Sequence, residues 1–190
     1  ASSAASDVYK RQHVKHTFLP VYDEESRILI LGSFPSVKSR ENQFYYGHPQ
    51  NRFWKVIAGI FKEPLPQTID EKKELLLRHR IAVWDVIDSC DIVGSSDSSI
   101  RNVVPNDMNL ILSNAKIQGI FANGGKAHQL FVKYCNKEGM PPVGKLPSTS
   151  PANAAWNLER LTAEWKTAFE TYLEITEQEK TFEKRRNDDG

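Results

Sequence analysis

The chain has 190 residues, 25 Lys+Arg against 24 Asp+Glu, and 39% hydrophobic residues. This suits one domain with a packed core. It excludes a protein that coats nucleic acid by net charge alone. With no apolar run near the roughly 20 residues that a bilayer requires, it also excludes a membrane-spanning helix.

Residues 1–12 (ASSAASDVYKRQ) are small, polar and aperiodic. They read as a disordered segment foreign to the domain. They lack the apolar stretch of a signal peptide, so the expected compartment is intracellular: cytoplasmic, or nuclear in a nucleated cell, and not secreted. The domain is expected over residues 13–175. Ile28 to Leu31 is a short apolar run ending at Gly32 and reads as a buried strand. A polar and aromatic loop runs to Gln50. Phe53, Val56, Ile57, Ile60 and Phe61 then fall at helical spacing within Asn51 to Phe61. Thr68 with Glu71 is a capping-box pattern opening a second helix. Ile81 to Ile87 reads as the second strand. Asn106 can cap a short helix through Asn114. Ile117 to Ala122 reads as the third strand, followed by turn chemistry at Asn123, Gly124 and Gly125 and a helix through Tyr134. Val143 to Leu146 is the fourth strand. Leu158, Leu161, Trp165, Phe169 and Tyr172 mark the buried stripe of a final helix. Residues 176–190 are a charged tail, in which Lys184, Arg185 and Arg186 are either solvated or a basic arm.

Strands separated by helices imply right-handed crossovers and a parallel sheet covered on both faces. The expected fold is therefore α/β, a three-layer α/β/α sandwich around a four-stranded parallel sheet. In such a sheet the ligand site lies beyond the carboxyl ends of the strands. The segments leaving those ends begin at Gly32, Asp85, Asn123 and Pro147.

Each of these segments carries a structural and a functional reading. The turn amides at Ser33 and Phe34 either close a loop or face a ligand carbonyl. Asn51 is a helix cap or holds a water or substrate oxygen. Tyr45 and Tyr46 pack the core or the loop. Asp85 is a paired strand-end acid or a recognition group. Asn123 is a turn residue or a ligand contact. His48 shapes the His-Pro turn or acts as an acid. Pro147 to Asn153 is a strand-to-helix turn, with Asn153 as cap, or a phosphate-gripping loop. Lys38, Arg40, Arg52, Lys126 and Lys145 flank the same end and could form a basic rim. Two cysteines, Cys90 and Cys135, are too few for a disulfide framework or an all-cysteine iron–sulfur site. Five histidines without HExxH or CxxC spacing give no metal signature. GSFPS is not the G-x-S-x-G elbow of a serine hydrolase.

LGSFPS and YYGHPQNRFWKV resemble the first motif of the hypoxanthine-DNA (DNA-deoxyinosine) glycosylases of the uracil-DNA glycosylase superfamily. A similar HPxNRFWKV stretch occurs in the mismatch-specific uracil-DNA glycosylases. LPSTSPANA resembles the second motif of the superfamily. VWDVIDSC, DSSIRN and FANGGKAHQLF also look like the hypoxanthine group, so the resemblance runs from about Arg27 to Leu173.

The resemblance implies a monofunctional DNA glycosylase of base excision repair. Such an enzyme hydrolyses the N-glycosidic bond of deaminated bases, chiefly hypoxanthine, as a monomer with no cofactor and no metal. It implies Asn51 as the catalytic residue, with Ser33, Phe34, Tyr46, Asp85 and Asn123 at the base. Pro147, Ser148, Thr149, Ser150 and Lys126 fall to the DNA. Uracil-cleaving relatives usually place Asn or Asp where this chain has Phe34, and most members have His or Asn where it has Leu146. Both departures agree with the hypoxanthine group. The alternatives are a uracil or broad deaminated-base glycosylase, including xanthine, and a non-catalytic DNA-binding module of the same fold.

Overall fold

The structure is a computed structural model that describes residues 10–175. Residues 1–9 and the charged tail from 176, where the alternative of a basic arm falls, lie outside the described residues. In chain order the elements are β1 (Arg11–Lys15), β2 (Ile28–Gly32), α1 (Val37–Asn42), α2 (Phe53–Phe61), α3 (Ile69–Arg78), β3 (Ile81–Asp85) and β4 (Ile87–Val93). A 3-10 turn at Asp97–Ser99 follows, then β5 (Arg101–Pro105), α4 (Asn109–Leu112), β6 (Gly119–Asn123), α5 (Gly125–Tyr134), β7 (Val143–Leu146) and α6 (Leu158–Glu170).

β2, β3, β6 and β7 form a four-stranded parallel sheet in the order β3-β2-β6-β7, flanked by helices as expected. The chemistry of β2 explains its central place. Ile28, Leu29, Ile30 and Leu31 are all fully buried, so the strand is an unbroken apolar run rather than an alternating one. β3 (IAVWD) is buried along its whole length for the same reason.

α2 packs against α6, where Phe53 meets Trp165 edge-on at 5.9 Å and Gly59 lies against Thr162. Leu161, Trp165 and Phe169 form the buried stripe of α6. Leu158, expected in that stripe, is exposed, and Tyr172 lies past the helix end with its ring over Gly119. The expected cap of α3 forms on one side: Glu71 N donates to Thr68 Oγ1 at 3.1 Å, while Glu71 Oε2 accepts from Gln67 N, one residue before the cap, rather than from Thr68 N.

A second sheet, antiparallel and ordered β1-β4-β5, is absent from the sequence reading. The strand expected over Ile81 to Ile87 divides at Val86. β3 stays in the parallel sheet and β4 enters the antiparallel one. The segment set aside as residues 1–12 also reaches too far, because Arg11 and Gln12 pair with Val93 and Ile92 in β1. β1 is exposed along nearly all its length and β5 over most of it, so neither carries the alternating apolar residues that mark a half-buried strand, and without those partners nothing separates β4 from β3 in the sequence.

Two expected caps are reassigned. Asn106 donates its amide to Asp85 O at 2.9 Å, and Asp107 Oδ1 caps the short α4 through Asn109 N. Asn157, not Asn153, caps α6 by accepting from Arg160 N at 2.8 Å. No helix among the described residues is long and apolar enough to cross a membrane.

Candidate active site

The carboxyl ends of β2, β3 and β6 open into a cavity of about 290 Å³. Ser33, Phe34, Tyr46, Asn51, Asp85 and Asn123 all line it, and so do Ser148, Thr149 and Ser150. Pro147 does not. It lines an adjoining cavity of about 620 Å³ that shares Asp97, Ser148 and Ser150 with the first. Lys126 lines neither and sits in the first turn of α5. His48 also reaches the cavity, while its Nδ1 accepts from Gln50 N and shapes the turn.

The amide of Asn51 has a fixed orientation. Its Oδ1 accepts from Phe53 N at 2.9 Å and from Thr149 Oγ1 at 2.9 Å. Phe53 N can only donate, so the oxygen must face it and the NH₂ group must face away. A relay behind it locks the arrangement. Asn123 Nδ2 donates to Thr149 Oγ1 at 3.0 Å, and Thr149 N donates to Asn123 Oδ1 at 3.1 Å. The Thr149 hydroxyl therefore accepts one bond and donates one. The residue is fully buried, and its hydroxyl holds Asn51.

Tyr46 has a left-handed backbone at φ 52°, and its ring stacks on the buried Phe53 at 4.0 Å with a 20° tilt. One ring face is thereby covered, and the half-buried side chain offers the rest to the cavity. Its hydroxyl is buried and makes no hydrogen bond within normal geometry among the described residues. Burial raises its pKa, the Asp85 charge adds to that, and the Asn123 side chain partly offsets both.

Asp85 ends β3 opposite Gly32 of β2 and is almost fully buried. One carboxylate oxygen meets His16 Nε2 at 2.8 Å, with both side chains nearly sealed from solvent. The other lies over Gly32, where any Cβ would overlap it. Gly32 is required here because the carboxylate packs onto its backbone. Sequence reasoning missed His16, which follows the polar β1 and carries no local pattern.

Ser33 and Phe34 leave β2 beyond its last ladder pairs, Gly32 with Asp85 and Leu31 with Ala122. The Ser33 hydroxyl donates to Asp97 Oδ1 at 2.8 Å. Asp97 is open to solvent on one side but crowded by the cavity wall. That crowding raises its carboxyl above the usual range, the Ser33 bond and the Lys126 charge pull it back, and Asp85 adds to the rise. Asp97 opens the DSSIRN segment but was not read as a site residue, because it arrives on the 3-10 turn between two unforeseen strands.

The basic rim is thinner than its residue types suggest. Arg52 points into the Ser148–Asn157 loop and donates to the carbonyls of Thr149, Ser150, Asn153 and Trp156. Arg40 donates to Gly94 O, and its guanidinium lies 5.7 Å from the centre of the Phe34 ring. Lys38 pairs with Glu41 at 3.5 Å. Asn153 Nδ2 donates to Ser148 O, and Trp165 Nε1 to Pro147 O at 2.9 Å, so the loop is anchored from several sides. No group of three or more His, Cys, Asp or Glu is poised to hold a metal among the described residues.

A parallel sheet with a base-sized, amide-lined cavity at its carboxyl ends fits a family whose members act on a single everted nucleotide. Residues 19–174 match the uracil DNA glycosylase superfamily, and the chain belongs to that superfamily. A hypoxanthine DNA glycosylase of Methanosarcina acetivorans is 38% identical over 159 residues, covering 82% of this chain and 98% of the relative. One of Methanosarcina barkeri is 36% identical over 116 residues, covering 60% and 73%. Among solved structures, the solution NMR structure of a candidate uracil DNA glycosylase from Methanosarcina acetivorans superposes with a TM-score of 0.68. It is 34% identical, and the match covers 83% of this chain and 97% of that one. As a superfamily enzyme the protein is a DNA glycosylase, and its partner is DNA.

Proposed function

We propose that the protein releases hypoxanthine from deoxyinosine in DNA, with water as nucleophile, as a monofunctional enzyme of base excision repair. The observation that carries this reading is the meeting of Asn51 and Tyr46 in one cavity. The names of its two archaeal relatives point the same way.

A base within a duplex is out of reach and must be everted, at a cost of a few kcal/mol, which is least for a weak pair such as mispaired inosine. The everted base stacks on the open part of the Tyr46 ring, and such stacks contribute about 1–3 kcal/mol. The Asp85 oxygen that does not bond His16 accepts the N1–H of hypoxanthine. As the C1′–N9 bond breaks, negative charge grows on the base. The NH₂ of Asn51, together with the backbone N–H groups of the Ser33–Phe34 turn that lines the cavity, supplies the donors for that charge. Asn51 has no useful acid or base chemistry, so its part is to position and polarise. Ser148, Ser150 and Lys126, with Pro147 shaping the loop, are left to grip the DNA backbone. We infer an intracellular monomer.

Phe34 and Leu146 remove two polar groups that would serve uracil, so uracil release should be much slower. The test is single-turnover base release from duplexes carrying inosine, uracil or xanthine. Hypoxanthine released fastest supports the reading. Binding to inosine DNA without release would make the protein a non-catalytic module. Faster uracil or xanthine release would reassign the substrate.

A further inference from the structure

Hydrolysis of a glycosidic bond produces a proton from water, and neither Asn51 nor the turn amides can take it. Two carboxylates line the cavity. Asp85 is nearly sealed: one oxygen is committed to His16, and the other, over Gly32, is the one given above to the N1–H of the base. Asp97 is different. It comes from the antiparallel sheet's 3-10 turn, reaches the parallel sheet's cavity, and is open to solvent on one side. Ser33 Oγ donates to its Oδ1 at 2.8 Å, and no other hydrogen bond to its carboxylate forms among the described residues. The second oxygen is therefore available in the cavity that Asn51 shares. Phe34, the neighbour of Ser33 in the β2 turn, carries no polar group, so the turn itself supplies no base.

We propose that Asp97 is the catalytic base of the hydrolysis, held by Ser33 so that its free carboxylate oxygen takes the proton of the attacking water. The assignment rests on the glycosylase reading above. In the step, the C1′–N9 bond breaks and its electron pair goes to N9 of hypoxanthine. Water oxygen forms the new C1′–O bond and gives one proton to Asp97. The departing base takes a proton from solvent, and Asp97 returns its own to solvent. The net change is deoxyinosine plus water to hypoxanthine plus an abasic sugar.

The groups facing Asp97 are Ser33 from the β2 turn, Lys126 from α5 and Asp85 from β3, and its charge also reaches Tyr46 and Cys90. The base acts only when ionised. Crowding holds its pKa above the usual carboxylate range, so activity falls as pH drops through that raised value.

The experiment is single-turnover release from an inosine duplex as a function of pH, with binding of the same duplex measured beside it, for the full chain and for D97N, D97E and S33A. D97N is expected to lose roughly 100-fold or more in rate, the range of a general base, while binding within about twofold of the parent. D97E retains part of the rate. S33A removes the bond that lowers the carboxyl's pKa, so its acid limb moves to higher pH, a shift that a merely structural role for Asp97 would not produce. D97N releasing base at the parent rate overturns the assignment. So does an acid limb that stays in place in S33A, which decides the matter even if D97N does not fold. If the unaltered protein releases no hypoxanthine, the glycosylase reading falls and this assignment falls with it. An active parent with an equally active D97N overturns the assignment alone.

Discussion

Thr149 donates its hydroxyl proton to Asn51 across 98 residues of sequence, at 2.9 Å. The same hydroxyl accepts from Asn123, so one buried oxygen ties the strand-end turn of β6 to the entrance of α2. Replacing Thr149 by Val keeps the shape and strips the bond at both ends. Asn51 loses one of its two anchors, and Asn123 loses an acceptor in a buried setting. We expect about 1–3 kcal/mol of lost stability, from the groups left unpaired, together with a fall in the rate of base release. Thr149→Ser should restore most of both. Chemical denaturation and single-turnover assays on the two variants read the outcome. Full activity in Thr149→Val would mean that Asn51 needs no relay.

The orientation of Asn51 yields a sharper test. Its oxygen is committed to Phe53 N and Thr149, so the part free to meet substrate is a donor. Asn51→Ala should cut the rate by roughly 10²–10³, as removal of one oxyanion donor does elsewhere. Asn51→Asp keeps both internal bonds but replaces the NH₂ by a carboxylate oxygen. It should fold as well as the parent and be no more active than the alanine variant. An active Asn51→Asp would show that an oxygen aimed at water, not an N–H aimed at the substrate, is what the site uses.

The parallel sheet was legible because its strands are buried on both faces. ILIL and IAVW are continuous apolar runs, bounded by the Gly and Asp that end them. The antiparallel sheet was not legible. β1 is RQHVK, mostly exposed, and β5 is RNVVP with a proline at its end, so neither has the alternation that would mark a half-buried strand. The site divides along the same line. Asn51, Tyr46, Asp85 and Asn123 follow parallel strands or a recognisable motif, and their segments could be named. His16 and Asp97 hang on the hidden sheet. They meet their partners Asp85 and Ser33 across 69 and 64 residues, and no local spacing encodes such meetings. The inward turn of Thr149 was hidden too, since a Ser/Thr-rich loop reads as polar surface until its packing is seen.

Gly32 is where the base floor has no spare room. A methyl group there would overlap the Asp85 carboxylate and press on the Tyr46 hydroxyl at 3.3 Å. Asp85 is backed by His16 and cannot retreat without breaking that bond. Gly32→Ala should therefore destabilise by about 1–3 kcal/mol, the usual cost of overpacking. It should also abolish discrimination for hypoxanthine before it abolishes DNA binding. Thermal unfolding and competition between inosine and undamaged duplexes measure the two effects.

Arg52 serves four loop carbonyls with one guanidinium, and its own backbone N–H adds a bond to Thr149 O at 3.1 Å. Lysine in its place is a compact point charge that cannot span that fan of acceptors. Arg52→Lys should loosen residues 148–157 and raise their amide hydrogen exchange. It should weaken DNA binding, since Ser148 and Ser150 sit on the freed loop. Unchanged exchange in that segment would mean that the anchors from Asn153 and Trp165 suffice.

Cys90 and Cys135 should be chemically silent in the folded protein. Both are buried, and burial pushes each thiol up to about 11, against about 9 for the free group. Cys90 also faces the charges of Asp91 and Asp97, which oppose thiolate formation, while Arg40 only partly compensates. The thiolate is the reactive form, so at neutral pH almost none is present and little reagent could reach it. A disulfide-exchange reagent added to the native protein at pH 7.5 should release no chromophore over minutes, then titrate both thiols once denaturant is added. Fast labelling of one thiol without denaturant would mark Cys90 or Cys135 as open to solvent. The position labelled, read by peptide mapping, would show whether the antiparallel sheet around Cys90 or the end of α5 next to Cys135 breathes first.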